Sequence, residues 1–144
     1  MLNVVIVGYD KALSSAMTGV VDLFGLAGVT WNRIQGQEPE RLFNVRIASP
    51  DAGPGRCING VQLMAHMSYD QVDDVDAIVI PTIGGPVDDV LGKTPELSDL
   101  LRKANDKGWT IAGNCTGNFL LAEAGILDGK QATTHWGFKD AFEQ

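Results

Sequence analysis

The chain has 144 residues, a length that suits one domain with a hydrophobic core of its own. Its formal net charge is −7, and because an acidic chain repels phosphates, we do not expect this segment to bind DNA by itself. No apolar run approaches the roughly 20 residues of a membrane helix, and the N-terminus does not resemble a signal peptide. Two cysteines, Cys57 and Cys115, without a CxxC pair argue against a disulfide framework and favour the cytoplasm.

Apolar runs bounded by glycine, proline and polar residues predict the strands of the chain. The first run, 3–8, is continuously apolar, as is typical of a strand buried on both faces. A turn-rich segment, 51–60, predicts a loop or hairpin, and 61–67 a strand or hairpin arm. The remaining predicted strands are 43–49, 76–80, 109–112 and 131–134.

Three segments have the apolar spacing of helices. The first, 14–27, is expected to be capped by Ser14 and to bury Met17, Val20, Val21 and Phe24. Thr94 and Pro95 begin the second, which ends before Gly108 and buries Leu97, Leu100, Leu101 and Ala104. The third, 115–124, ends at Gly125. Strands that alternate with helices predict an α/β fold with a mostly parallel sheet. Because Gln144 falls at the start of a predicted helix, we expect a domain that is truncated at its C-terminal end.

The segment Gly113-Asn114-Cys115-Thr116-Gly117 lies where a predicted strand runs directly into a predicted helix. Its G-x-nucleophile-x-G spacing is that of a nucleophile elbow, with cysteine in place of serine. Glycines on either side allow strand and helix to approach, and the free amides at a helix N-terminus favour a thiolate. The alternative is a buried structural cysteine beside two glycines. We predict that Cys115 is reactive or contacts a ligand.

A second glycine-rich turn, Gly84-Gly85, follows the strand 76–80. Ligands of open parallel sheets bind beyond the carboxyl ends of the strands, so neighbouring strands would bring this turn to Cys115. The amides of Gly84, Gly85 and Thr116 could then form an oxyanion hole. The alternative is a tight turn without a binding role.

His135 is the one histidine that we expect near the thiol, where it could accept the thiol proton, and Trp136 beside it is a candidate ligand contact. His66 is predicted to be structural and Cys57 incidental. The three tryptophans are expected in the core or in a pocket wall. We expect neither a metal nor a cofactor, because the acidic positions match no known ligand spacing.

Three blocks of sequence resemble the DJ-1/PfpI superfamily, which is class I glutamine amidotransferase-like. They are Gly113–Gly117, the segment Leu121-Ala122-Glu123-Ala124-Gly125-Ile126-Leu127-Asp128-Gly129, and Ala132-Thr133-Thr134-His135-Trp136. Their order is most similar to the N-terminal domain of AraC-type transcription regulators. The resemblance implies a flavodoxin-like three-layer sandwich with a cysteine nucleophile elbow, a homodimer, and a helix-turn-helix DNA-binding domain outside this chain.

The resemblance also implies an acidic partner for the cysteine on the first helix, and that position is Ala16 here. Without the carboxyl group, acid–base chemistry at the elbow loses its usual proton carrier. We therefore expect a ligand-sensing domain that binds a small molecule at Gly84, Gly85, Cys115, Thr116, His135 and Trp136. The alternatives are a cysteine-dependent enzyme, such as an amidase-like hydrolase or isonitrile hydratase with catalytic Cys115 and His135, and a redox sensor in which Cys115 is oxidised.

Overall fold

The computed structural model describes residues 1–144 and contains a five-stranded parallel sheet in the order β5-β2-β1-β6-β7. Its strands are β1 (Leu2–Val7), β2 (Phe43–Ser49), β5 (Met67–Ser68), β6 (Ala77–Ile80) and β7 (Thr110–Gly113). A separate antiparallel hairpin consists of β3 (Gly55–Arg56) and β4 (Gln62–Leu63). The parallel sheet confirms the predicted α/β fold, and β2 has the predicted bounds.

Helices connect β1 to β2 and β6 to β7, whereas the β3–β4 hairpin connects β2 to β5 and a 3₁₀ turn connects β5 to β6. The helices are α1 (Ser14–Leu26), α2 (Thr30–Ile34), α3 (Pro95–Asp106), α4 (Asn118–Glu123) and α5 (Lys139–Phe142). Short 3₁₀ turns occupy Ile58–Gly60, Tyr69–Gln71, Val87–Asp89, Cys115–Gly117 and Trp136–Phe138. None of these helices is both long and apolar enough to cross a bilayer.

The core lies on both faces of β1 and β6, whose apolar side chains pack beneath the helices. Residues 4–7 and 78–80 are buried along these strands. Helix α1 packs against β1 and β2, and α3 packs against β7. Helix α3 begins at Pro95 as predicted, and its expected stripe of Leu97, Leu100, Leu101 and Ala104 is buried. Each buried leucine of this kind contributes about 2 kcal/mol to folding.

Several local predictions are wrong. Ser14 does not cap α1: it is the first helical residue, and the cap position belongs to Leu13 without a side-chain hydrogen bond. Of the expected buried face of α1, only Met17 is fully buried. Residues 131–134 form no strand, because no neighbouring strand offers them a backbone ladder. Trp31 is 66% exposed and therefore lies outside the core.

Candidate functional site

Cys115 lies in a sharp connection between β7 and α4. The strand ends at Gly113, Cys115–Gly117 form a 3₁₀ turn, and α4 follows from Asn118. The backbone φ of Cys115 is +53°, in the left-handed region that non-glycine residues rarely occupy. Such strain costs about 1–3 kcal/mol, and it is the conformation expected of a residue at a nucleophile elbow.

The glycines around Cys115 are required by close packing. A Cβ atom on Gly117 would lie 2.6 Å from the carbonyl oxygen of Pro81 and 2.8 Å from that of Ile80. A Cβ atom on Gly113 would collide with the side chain of Asn118 and lie 2.8 Å from Leu121 Cδ1. The sequence spacing thus identified two closely packed positions, Gly117 against backbone and Gly113 against side chains of α4.

Thr116 joins the elbow to the loop after β6. Strands β6 and β7 pair directly, as predicted, so the loops that follow them lie side by side at one edge of the sheet, here called the rim. The buried Thr116 hydroxyl accepts a hydrogen bond from Ile83 N at 3.1 Å and lies 2.8 Å from the Thr82 hydroxyl. The Gly84-Gly85 turn therefore begins immediately beside the cysteine turn.

The amides of this rim differ in availability. Gly84 N donates to the carbonyl oxygen of Lys11 at 2.8 Å, so the expectation that Gly84 offers a free N–H group is wrong. The amides of Gly85, Cys115 and Thr116 make no hydrogen bond within the chain. Two of the three amides expected of an oxyanion hole, those of Gly85 and Thr116, thus have no acceptor within the chain.

The segment before α5 reaches the elbow through threonine and asparagine contacts. Thr134 Oγ1 donates to the carbonyl oxygen of Cys115 at 3.1 Å, and Asn118 Nδ2 donates to the carbonyl oxygen of Thr133 at 2.5 Å. These two hydrogen bonds hold Thr133 and Thr134, which directly precede His135, against the elbow. They also explain why the segment follows an extended path without being a strand.

His135 and Trp136 stack on each other at the surface. Their ring centroids are 5.4 Å apart, and Trp136 is 85% exposed, so the expectation of a core or wall tryptophan is wrong for Trp136. The Nδ1 atom of His135 accepts a hydrogen bond from Gly137 N at 3.1 Å, and the ring makes none to Cys115. The histidine therefore directly follows Thr134, which is bonded to the elbow, but its ring does not pair with the thiol.

The start of α1 lies against the same rim. Leu13 N donates to the carbonyl oxygen of Thr82 at 3.0 Å, and Ala16 lies in the first turn of the helix. Thr82 contacts Thr116, so α1 begins close to the elbow. A carboxylate at position 16 would stand on that turn, and the chain has a methyl group there.

The two cysteines have different surroundings. Cys115 is partly exposed and its sulfur makes no hydrogen bond, whereas Cys57 is buried in the core with its sulfur 3.9 Å from Met17 Sδ. Burial raises the pKa of the Cys57 thiol. Cys57 is therefore the less reactive of the two. No group of three or more His, Cys, Asp or Glu side chains is arranged to hold a metal ion.

Two buried tyrosines support the rim, and the sequence analysis missed both. The Tyr9 hydroxyl donates to the carbonyl oxygen of Pro81 at 2.5 Å, and the Tyr69 hydroxyl donates to that of Gly8 at 2.5 Å. Burial raises the pKa of each tyrosine well above its ordinary value. The only hint in the sequence is that Tyr9 directly follows a strand, where buried hydroxyls find unpaired carbonyls.

Two cavities lie beyond the carboxyl ends of β1 and β2, away from Cys115. One has a volume of about 790 Å³ and lies between these strand ends and the β3–β4 hairpin. The other, of about 610 Å³, lies between the turn at Tyr69 and helix α3. Neither is lined by any residue of the elbow, so the sequence analysis did not anticipate them.

These features define a flavodoxin-like α/β domain with a strained cysteine between a parallel strand and a helix. The family model described as the DJ-1/PfpI family matches residues 27–144. The chain belongs to the DJ-1/PfpI family, as its sequence blocks predicted.

Relatives within the family have different functions. The chain is 35% identical over 103 residues to the HTH-type transcriptional regulator CdhR of Pseudomonas aeruginosa, covering 72% of this chain and 30% of the regulator. It is 30% identical over 96 residues to the isonitrile hydratase of Pseudomonas putida, covering 67% of this chain and 41% of that enzyme. The chain thus spans less than half the length of either relative.

Solved structures share the fold. The crystal structure of an AraC family transcriptional regulator from Pseudomonas putida superimposes with a TM-score of 0.73 at 22% identity, covering 99% of this chain and 71% of that one. Drosophila melanogaster DJ-1beta gives a TM-score of 0.76 at 23% identity, covering 99% and 70%. At these identities the likeness concerns the fold alone.

Proposed function

We propose that this chain is the ligand-sensing domain of an AraC-type transcription regulator. It binds a small molecule at the rim formed by Gly84, Gly85, Cys115, Thr116, His135 and Trp136. DNA is bound by a helix-turn-helix domain outside this chain, in a homodimer in the cytoplasm. The similarity to a helix-turn-helix regulator supports the class of protein.

One observation carries the choice of sensor over enzyme. The backbone of the elbow is intact, with Cys115 at φ +53° and free amides at Gly85 and Thr116. The first turn of α1, which lies against the same rim, has Ala16 where an acid–base partner would stand. A site made of backbone amides retains its shape when a carboxylate is lost, so binding survives where proton transfer does not.

Binding at the rim can be tested with paired tryptophan variants of the full-length protein. A metabolite library is screened by thermal shift, and hits are titrated against Trp136→Ala and Trp31→Ala. Both tryptophans are exposed, but only Trp136 belongs to the proposed site. We expect Trp136→Ala to weaken binding at least about tenfold, as loss of an aromatic contact does, and Trp31→Ala to leave it unchanged. Equal affinity in the two variants would contradict the site.

A cysteine-dependent enzyme is the second candidate, supported by the similarity to an isonitrile hydratase and by the partly exposed thiol of Cys115. The full-length protein is assayed with an amide, a glyoxal and an alkyl isonitrile, alongside Cys115→Ala. The sensor proposal predicts no turnover above the variant's background. Turnover that disappears in Cys115→Ala would replace the sensor with the enzyme.

A further inference from the structure

The cavity of about 790 Å³ between the β3–β4 hairpin and the carboxyl ends of β1 and β2, here the hairpin cavity, is lined by charges of both signs. Three carboxylates and one guanidinium line it: Asp10, Asp51, Glu96 and Arg56. None of these side chains forms an ion pair with another or with any other residue, since the four ion pairs of the chain lie elsewhere. Opposite charges that share a cavity without touching leave room for a ligand between them.

The wall that carries Arg56 is fixed in place by hydrogen bonds. Lys11 N donates to the carbonyl oxygen of Arg56 at 2.8 Å, which ties the hairpin to the segment after β1. Ser49 Oγ donates to the carbonyl oxygen of Gly53 at 2.7 Å and holds the preceding turn. Arg56 pairs with Gln62 across the hairpin, so both polar side chains line the same cavity. A preorganised site loses less conformational entropy when it binds a ligand.

The acidic wall comes from different elements. Asp10 follows β1, Asp51 follows β2, and Glu96 lies in the first turn of α3. Burial is the main cause of the raised pKa of Tyr69, and the nearby charges of Glu96 and Asp10 raise it further. The three carboxylates thus line the same cavity, although they come from separate parts of the chain.

We propose that the hairpin cavity binds a small dipolar molecule that carries both an ammonium group and a carboxylate. The ammonium group lies among Asp10, Asp51 and Glu96, and the carboxylate pairs with Arg56, whose fork suits a carboxylate. The volume lies in the range of small-molecule sites. This cavity contains no residue of the Cys115 rim, so the proposal can be tested independently of the proposed sensing site.

Three probes of matched chain length test the proposal on the full-length protein: 4-aminobutyrate, butylamine and butyrate. Titration by calorimetry or NMR is expected to give the tightest binding for 4-aminobutyrate, weaker binding for butylamine and none for butyrate. Amide shift changes should centre on Asp10, Gly53 and Arg56. Absence of 4-aminobutyrate binding up to about 50 mM (far weaker than a typical metabolite site), or shifts centred on Cys115, would overturn the proposal.

Charge variants assign the two ends of the probe. Arg56→Met is expected to weaken 4-aminobutyrate binding at least about tenfold but to leave butylamine binding nearly unchanged, because the guanidinium that it removes pairs only with the carboxylate of the probe. Glu96→Gln should weaken both probes, and Arg56→Lys should retain part of the affinity. The controls are Arg33→Met and Glu38→Gln, exposed charges that line neither cavity. Arg56→Met with undiminished 4-aminobutyrate affinity, or controls that weaken it equally, would refute the site.

Discussion

The carboxyl edge of the sheet has two sides that are built by different means. On the elbow side, β6 and β7 meet through backbone contacts, a strained cysteine and a glycine, Gly117, that admits no Cβ atom. On the hairpin side, the ends of β1 and β2 border a cavity lined by unpaired charges. The elbow is thus specified by steric fit, whereas the hairpin side is specified by charge placement. Substitutions should therefore destabilise the first side more than the second.

The largest effect is expected from Gly117→Ala. The added methyl group would lie 2.6 Å from the Pro81 carbonyl oxygen, and backbone cannot move aside as a side chain can. We expect the free energy of unfolding in urea to fall by about 3 kcal/mol. The matched control is Gly19→Ala, in α1 with no atom within 4 Å of the new Cβ, which should preserve or slightly raise stability. Equal losses in the two variants would mean that the elbow is not sterically fixed.

Thr116→Val tests the polar link between the two loops of the elbow. Valine keeps the shape but leaves Ile83 N and the Thr82 hydroxyl without their partner. The expected loss is about 2 kcal/mol of unfolding free energy, and Thr116→Ser should recover most of it because the hydroxyl returns. A serine variant as unstable as the valine variant would point to the methyl group as the important part.

The sequence predicted the elbow side of the sheet better than the hairpin side, because steric fit leaves a local sequence pattern and charge placement does not. The elbow was predictable because two glycines at fixed spacing around Cys115 are a local signature of a sharp strand-to-helix turn, even though the atoms that exclude a Cβ on Gly117 belong to Ile80 and Pro81. Gly84 was predicted with a free amide, and the error arose because its acceptor, Lys11, lies 73 positions earlier in the chain. No local sequence pattern predicts a hydrogen bond between residues so far apart in the chain.

The hairpin cavity was not predictable for a related reason. Its four charged residues come from separate segments of the chain: Asp10, Asp51, Arg56 and Glu96. In the sequence, each of them alone is typical of an ordinary solvated charge. Only the pairing of β1 with β2 and the direction of α3 bring them together. Strand periodicity failed at residues 131–134 because their partners are the Asn118 side chain and the carbonyl oxygen of Cys115 rather than another strand.

Tyr9 and Tyr69 connect the two sides and predict an alkaline limit of stability. Burial raises the pKa of both hydroxyls, so they stay protonated in the folded state, whereas unfolded tyrosines ionise near their ordinary pKa of about 10. Stability is therefore fully present below pH 10 and is lost as the pH rises above it, by up to about 1.4 kcal/mol per pH unit for each tyrosine.

The measurement is urea unfolding at a series of pH values, with tyrosinate absorbance followed in parallel. These are the only tyrosines of the chain, so tyrosinate should form only as the protein unfolds. Tyr9→Phe together with Tyr69→Phe should flatten the pH dependence while lowering stability at neutral pH. Tyrosinate absorbance that develops near pH 10 in fully folded protein would contradict the burial of the hydroxyls.

The smallest effect is expected on the hairpin side, from Ser49→Ala. Ser49 is buried at the end of β2, and its hydroxyl holds the Gly53 carbonyl at 2.7 Å in a partly buried turn. We expect a loss of about 1 kcal/mol in urea unfolding, since water can replace part of the bond. Ser15→Ala, on the exposed surface of α1, should stay within about 0.5 kcal/mol of the parent. If Ser49→Ala cost as much as Gly117→Ala, the two sides of the edge would be equally rigid, and the hairpin cavity would depend on packing rather than on its charges.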